Sequence, residues 1–486
     1  MFRKNFTNLF ISYLGLFVGI FTIVIKPKVL TSEEIGILST IISLTLVTQI
    51  FTFGGSLSVI MKFYPKYKNT AELKKFISSV IITSYILLLF AILFLFLSKS
   101  LIISYYKNNS LNDYFIFIPL YLILSHTTEI CERLSRVLFV SVESNLIRNI
   151  FFKFINFGFL ILMFFEKTSF KTYLIFFLAL NLTTVGLLIR LSIKNLKLKW
   201  TLYDIIPDFS FIKQFTTYAF FMMVSSLAGV ASNNVDKIMI GHYLSFSQTG
   251  VYSVAMALTT VMNIIFDSFS RITQPQLSEC IEKDDKSGLT KTYLANLYNN
   301  IYFGVIAFVL ITLLSLDILS FFGKEYQSGY YVIIIICIGQ LVNLSAGMCG
   351  EIISLSTYYK FDFYSRAIQI FVIIVSNAVF IPAFGITGAA VATTSNFIIY
   401  DLIKIFYAYK KFGVHPFTTM TLKFYSTGLV VGVIIFLFKN QVSAGFTSII
   451  LISFFSFLIY DLILGYVFGY EYSISKKIIK KYGILK

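Results

Sequence analysis

The sequence has almost no stretch that could fold alone in water. No polar segment between its apolar runs exceeds about 20 residues, where a soluble domain takes about 100, so an extramembrane catalytic or binding domain is excluded. Cysteine is scarce. Cys131, Cys280, Cys337 and Cys349 are scattered, lack the spacing of a zinc or dithiol site, and read as structural. His126, His242 and His415 lie too far apart in sequence to imply a metal centre. There is no Walker-type phosphate loop, so ATP hydrolysis is excluded. Carboxylates are not paired in a long outer loop, as glycosyl transfer from a lipid carrier would require. His126 beside Glu129 is a weak acid–base candidate that reads as core packing. The expectation is therefore a protein that is not an enzyme, with no metal and no cofactor.

Apolar residues fill the space instead, at 57% of the chain with a mean hydropathy of +0.82. Phe76 to Leu97 holds no charge at all. A helix of about 20 such residues covers the roughly 30 Å hydrocarbon core, and a helix keeps its backbone groups bonded where lipid offers no partner. The fold class is all-α integral membrane, with about 14 transmembrane helices. They fall near residues 6–26, 35–60, 76–98, 114–138, 147–165, 172–193, 215–241, 250–275, 294–317, 329–355, 365–384, 386–408, 422–439 and 447–469. Pro382 and Gly385 divide the pair across 365–408, since proline disfavours helix in the residue before it. Met1 to Lys4 is short and basic, and the apolar run after it reads as a first span rather than a cleavable signal.

The net charge of +17 would point to nucleic acid in a soluble protein; here it records topology, and no nucleic acid partner is expected. Lys62, Lys66, Lys68, Lys74 and Lys75 follow the second span. Lys194, Lys197, Lys199 and Lys213 follow the sixth, and Lys410, Lys411 and Lys423 the twelfth. Lys476, Lys477, Lys480, Lys481 and Lys486 form a basic tail, while the opposite loops hold few lysines, such as Lys99, Lys107 and Lys324. Basic loops stay cytoplasmic, so both termini are placed there.

The segment 194–214, with Trp200, Asp204, Pro207 and Asp208, suits a connector between two bundles. After it the pattern starts again. Leu30-Thr-Ser-Glu-Glu-Ile-Gly36 leads into the second span, and Leu244-Ser-Phe-Ser-Gln-Thr-Gly250 leads into the eighth. At a shift of 214 residues Leu30, Gly36, Ser39, Leu44, Thr45, Val47, Ile50 and Ser56 each meet their own residue type. Two six-helix lobes in parallel pseudo-twofold relation follow from this. They cover 1–200 and 201–412, and two extra transmembrane helices with the basic tail cover 413–486.

A charge inside a bilayer costs about 3 kcal/mol on insertion scales, so those retained here are informative. Glu129 and Arg133, Glu132 and Arg136, and Asp267 and Arg271 are each spaced to meet on one helix face. Asp236 and Lys237 lie in the seventh span and Glu351 in the tenth. Asp401 with Lys404 reads as a self-neutralising pair, and Arg148, Lys153 and Arg366 read as snorkelling anchors. Arg133, Arg136 and Arg271 are candidates for binding phosphate, because a guanidinium fork grips two oxygens and stays charged in a dry site. Asn5, Asn8, Gln49, Asn233, Asn234, Asn263 and Gln340 add amides suited to sugar hydroxyls or to linking helices.

Three segments carry a family likeness. They are Pro27-Lys-Val-Leu-Thr-Ser-Glu-Glu-Ile-Gly36, then Asn234-Val-Asp-Lys-Ile-Met-Ile-Gly241 with Gly250-Val-Tyr-Ser-Val-Ala255, and Asn377-Ala-Val-Phe-Ile-Pro-Ala-Phe-Gly385-Ile-Thr-Gly388-Ala-Ala-Val-Ala392. The chain resembles the polysaccharide transporters of the multidrug/oligosaccharidyl-lipid/polysaccharide (MOP) exporter superfamily, especially the Wzx-type O-antigen and capsule repeat-unit flippases. The resemblance implies a bacterial inner-membrane flippase for undecaprenyl-diphosphate-linked oligosaccharide, working by alternating access through a central cationic cavity. It makes Arg133, Arg136, Lys237 and Arg271 the headgroup-binding candidates. Asp236, Asp267 and Glu351 become the carboxylates for coupling to an ion gradient. Partners would be the lipid-linked oligosaccharide, membrane lipids and other polysaccharide assembly proteins. Two rivals stay open: a cation-coupled exporter of the related MATE multidrug group, which wants a carboxylate-lined cavity, and a membrane glycosyltransferase or polymerase.

Overall fold

The computed structural model describes residues 2–68, 70, 72–106, 110–166, 168–196, 209–439 and 446–467. The connector from Trp200 to Asp208 and the lysines of the basic tail lie outside these residues, as do the side chains of Asn5 and Asn8. Every regular element among the described residues is helical. The first nine α-helices are α1 (Phe2–Val29), α2 (Ser32–Phe53), α3 (Ser56–Tyr67), α4 (Leu73–Leu97), α5 (Lys99–Tyr105), α6 (Ser110–Tyr114), α7 (Phe117–Val137), α8 (Ser141–Asn145) and α9 (Lys153–Glu166). The rest are α10 (Phe170–Leu196), α11 (Phe209–Tyr243), α12 (Phe246–Glu282), α13 (Lys286–Phe322), α14 (Tyr330–Ala346), α15 (Cys349–Leu355), α16 (Tyr359–Phe412), α17 (Thr419–Lys439) and α18 (Phe446–Leu462).

Eleven helices among the described residues are long and apolar enough to cross a membrane. The difference from fourteen has physical causes. Helix α7 has the length of a span, but four charges in its C-terminal half lower its hydropathy. The described part of the last span is short, Ile452–Gly465. Helix α16 counts once although it folds back on itself. A straight helix would hold Asp362 and Tyr400 about 57 Å apart at 1.5 Å per residue, yet their side chains are 3.4 Å apart and Phe361 stacks on Tyr407 at 3.7 Å. The reversal sits at Gly385, whose φ of 64° favours a residue without Cβ. A Cβ on Gly388 would lie 1.9 Å from the Phe380 carbonyl oxygen.

Two further expected spans are broken by glycine. The span expected at 35–60 stops at Gly54 and Gly55, both in left-handed conformation, and restarts as α3. The span expected at 329–355 ends at Gly347 (φ 57°) and continues as α15. Helix α2 opens with a capping box, in which the Glu34 amide donates to Thr31 Oγ1 and the Thr31 amide to Glu34 Oε2.

The backbone divides into two compact units, Met1–Ser253 and Val254–Lys486. In the first, α2 packs on α4, α7 and α11, α7 packs on α10, and α1 packs on α9. Its aromatic core includes Phe53, Tyr64, Tyr67, Phe76 and Phe215. In the second, α14 packs on α13 and α16, and α13 carries α17 and α18. Tyr293, Tyr302, Phe424 and Tyr460 are fully buried in that core. The outer faces are apolar too: on α4 alone Leu89, Phe90, Leu93, Phe94, Phe96 and Leu97 are exposed. A continuous apolar face of this kind belongs against lipid.

Candidate functional site: a cationic cleft in the first unit

Helices α2, α3, α7 and α11 enclose a cleft of about 280 Å³. Gln49, Phe53, Ser58, Glu129, Arg133 and Ser226 are among its lining residues. The break at Gly54 and Gly55 shapes it. Gly55 brings α3 so close to α11 that a Cβ there would lie 2.0 Å from the Ala219 carbonyl oxygen.

The charges on α7 form the ion pairs that the one-turn spacing predicts, but only loosely. Arg133 stands 3.9 Å from Glu129, and Arg136 stands 3.9 Å from Glu132. The close contacts come from Arg148, whose Nη1 is 3.1 Å from Glu129 and 2.5 Å from Glu132. Arg148, expected as a snorkelling anchor, is instead the counter-ion of both carboxylates. Three guanidinium groups therefore face two carboxylates, which leaves an excess of one positive charge. Arg133 Nε is buried with no hydrogen-bond partner, and so is the Nε2 donor of Gln49 on the same cleft. Two unsatisfied buried donors and a net positive charge can hold an anion with several acceptor oxygens. Sequence spacing could not find Gln49 as Arg133's neighbour, because one sits on α2 and the other on α7.

His126 backs this cleft as core packing. It is fully buried, stacks on Phe53 at 4.5 Å, and shares a 2.8 Å hydrogen bond between Nδ1 and Thr52 Oγ1.

Lys237 lies on the same α11 face as Val230, two turns or about 10 Å further along, and donates to the Asn233 carbonyl at 2.9 Å. Its neighbour Asp236 is buried. Tyr252 donates to Asp236 Oδ2 at 2.6 Å and the Lys237 amide to Oδ1 at 2.8 Å.

The remaining candidates belong to the second unit. Asp267 and Arg271 are exposed, one turn apart on α12. Glu351 is half-buried on α15. Next to it, a Cβ on Gly350 would lie 2.7 Å from Lys404 Nζ. Asp401 and Lys404 attract each other as their spacing offers, and each also has a closer partner. Asn343 Nδ2 donates to both Asp401 oxygens, at 3.0 and 3.2 Å, and Lys404 Nζ sits 3.7 Å above the Tyr400 ring. Arg366 Nε donates to Asp362 at 2.8 Å, so it too is paired rather than a free anchor. No group of three or more His, Cys, Asp or Glu side chains among the described residues could hold a metal ion.

A profile of the family described as polysaccharide biosynthesis protein matches residues 28–328, well over half of the chain. The chain belongs to that family. Among curated polysaccharide biosynthesis relatives, a probable low-salt glycan biosynthesis flippase, Agl15 of Haloferax volcanii, is 26% identical over 204 residues, covering 41% of this chain and 43% of the relative. The capsular polysaccharide biosynthesis protein CapF of Staphylococcus aureus is 25% identical over 189 residues, covering 38% and 47%. The chain thus spans under half the length of these relatives. Among solved structures, the lipid II flippase MurJ in an inward closed conformation superposes with a TM-score of 0.77 at 18% identity, covering 96% of this chain and 99% of that one. An inward-facing multidrug resistance MATE transporter of the MOP superfamily gives 0.63 at 10% identity, covering 82% and 94%. This member of the polysaccharide biosynthesis family is an all-helical, multi-pass membrane protein with the MurJ and MATE fold.

Proposed function

We propose that this protein is a flippase that carries undecaprenyl-diphosphate-linked oligosaccharide repeat units, of O-antigen or capsule, across the bacterial inner membrane by alternating access. The observation that carries the reading is the half-buried Arg133 on the same cleft as Gln49, with an unsatisfied donor on each and an excess positive charge in the α7 cluster. A diphosphate supplies both the acceptors and the negative charge that this cleft lacks. Membership of the polysaccharide biosynthesis family supports a glycan cargo. Relatives described as flippases support translocation rather than synthesis. Unspent donors on Arg133 and Gln49, with Glu129 held by Arg148, speak for an anionic cargo and against a cationic drug, although the MATE fold is shared.

In this reading the diphosphate sits against Arg133 and Arg136, with Lys237 and Arg271 further along its route. Asp236, Asp267 and Glu351 serve ion coupling. The chain crosses fourteen times, with both termini cytoplasmic. It forms two six-helix lobes in parallel pseudo-twofold relation, residues 1–200 and 201–412, and the helices of 413–486 are additional. The repeated segments around Gly36 and Gly250 support that symmetry.

The test is the sidedness of the lipid-linked oligosaccharide in cells lacking the gene. Accumulation in the cytoplasmic leaflet, reversed by the intact gene and not by Arg133→Ala at equal abundance, supports the proposal. Normal sidedness with normal surface polysaccharide refutes it, and resistance to cationic dyes would transfer the reading to drug export.

A further inference from the structure

Arg148 is the arginine of the α7 cluster that spends its hydrogen bonds on carboxylates, and the local structure is built to deliver it there. In an isolated helix Glu129 would close on Arg133 and Glu132 on Arg136, since these spacings favour ion pairs. Both pairs are loose, with 3.9 Å between nearest atoms, while Arg148 reaches the same two carboxylates at 3.1 and 2.5 Å. Arg148 lies in a π-helical turn, Leu146–Phe152, between α8 and α9. Such a turn adds one residue and so rotates the side chains beyond it by about 100° relative to a plain helix. Helix α1 holds this turn in place. Asn145 Nδ2 donates to Ser12 Oγ at 2.8 Å, and Gly15 leaves room for Asn149, since a Cβ there would lie 2.6 Å from Asn149 Cβ.

We infer that Arg148 is a positioning residue: by occupying Glu129 and Glu132 it keeps Arg133 and Arg136 available to a diphosphate. The inference rests on the cleft reading given above. Without Arg148, each carboxylate closes on the arginine one turn away, and the cleft loses the unspent donors of Arg133. The two carboxylates are thus as much a part of the device as the arginine. They hold Arg148, and they are what would disarm the site if it left.

The experiment measures binding of farnesyl diphosphate to the purified full-length protein in detergent by calorimetry. Arg148→Ala is expected to weaken binding about tenfold or more, the loss of charge-assisted contacts. Adding Glu129→Gln and Glu132→Gln to that variant removes the competitors for Arg133 and Arg136 and restores affinity to within about threefold of wild type. Arg133→Ala loses binding, and the same two glutamine substitutions do not rescue it. If Arg148→Ala does not yield folded protein, Arg148→Gln carries the test, because it keeps much of the side chain's volume while removing the charge that holds both carboxylates. Its weakened binding is then restored by Glu129→Gln.

Wild-type binding combined with no rescue by the glutamines overturns the positioning role and leaves the cleft reading standing. Unchanged affinity in Arg148→Ala does the same. Failure of the wild-type protein to bind the diphosphate overturns both.

Discussion

Gly36 and Gly250 meet at backbone distance. A Cβ on Gly36 would lie 1.7 Å from the Phe246 carbonyl oxygen, and one on Gly250 would lie 1.9 Å from that of Ser32. The Ser32 and Ser247 hydroxyls are hydrogen-bonded across the same crossing at 2.8 Å. The shift of 214 residues that matches the two repeated segments also exchanges the partners of each contact: 32 corresponds to 246, and 36 to 250. The two copies of one sequence signature therefore pack on each other, and glycine is required because backbone fills the place of a side chain.

Substitution at this crossing should be severe. Gly36→Ala and Gly250→Ala each force backbone apart, and overpacking of this kind costs about 1–3 kcal/mol or more. A lower thermal unfolding midpoint of the detergent-solubilised protein is expected for both. Gly19→Ala is the control, because nothing lies within 4 Å of a Cβ there. Its midpoint should hold or rise by the few tenths to about 1 kcal/mol that alanine gains over glycine in a helix. Equal midpoints at all three positions would contradict the packing described.

Tyr252→Phe leaves Asp236 Oδ2 buried without its 2.6 Å donor. An unsatisfied buried acceptor costs about 1–3 kcal/mol, so the variant should unfold at lower temperature. Asp236→Asn in the same background should recover part of that loss, since a neutral amide is less costly to bury. A Tyr252→Phe protein as stable as wild type would show the bond to be dispensable.

Removing Asn343 should expose the same logic in the second unit. Asn343→Ala deprives buried Asp401 of both amide hydrogen bonds, and a loss of about 1–3 kcal/mol is expected. The double substitution Asn343→Leu with Asp401→Leu removes donor and acceptor together. It should be the milder change, judged by yield and by unfolding in increasing denaturant. The reverse order of severity would mean that Lys404, not Asn343, sustains Asp401.

His126 offers a test of chemistry against packing. His126→Phe keeps an aromatic ring against Phe53, and Thr52 retains its bond to the Gln49 carbonyl at 2.8 Å. Surface polysaccharide in cells carrying this variant should match wild type. Abolished export with normal protein abundance would reinstate His126 as an acid–base group.

The sequence alone determined what depends on local composition. Apolar runs place the helices in a membrane because hydropathy and span length are properties of consecutive residues. Glycine and proline positions mark the reversal at Gly385, whereas the breaks at Gly54 and Gly347 lie inside apolar runs that hydropathy does not divide. Charges at one-turn spacing single out Arg133 and Arg136 as candidates. Tertiary structure decided which charges are committed and which are free. Arg148 comes from the far side of a loop to take both glutamates, Gln49 reaches the Arg133 cleft from α2, and Asn343 supplies the hydrogen bonds of Asp401. The reason is physical. A buried ion or amide takes whichever partner lies nearest in three dimensions, and at a helix crossing that partner belongs to another helix. No periodicity within one segment encodes it.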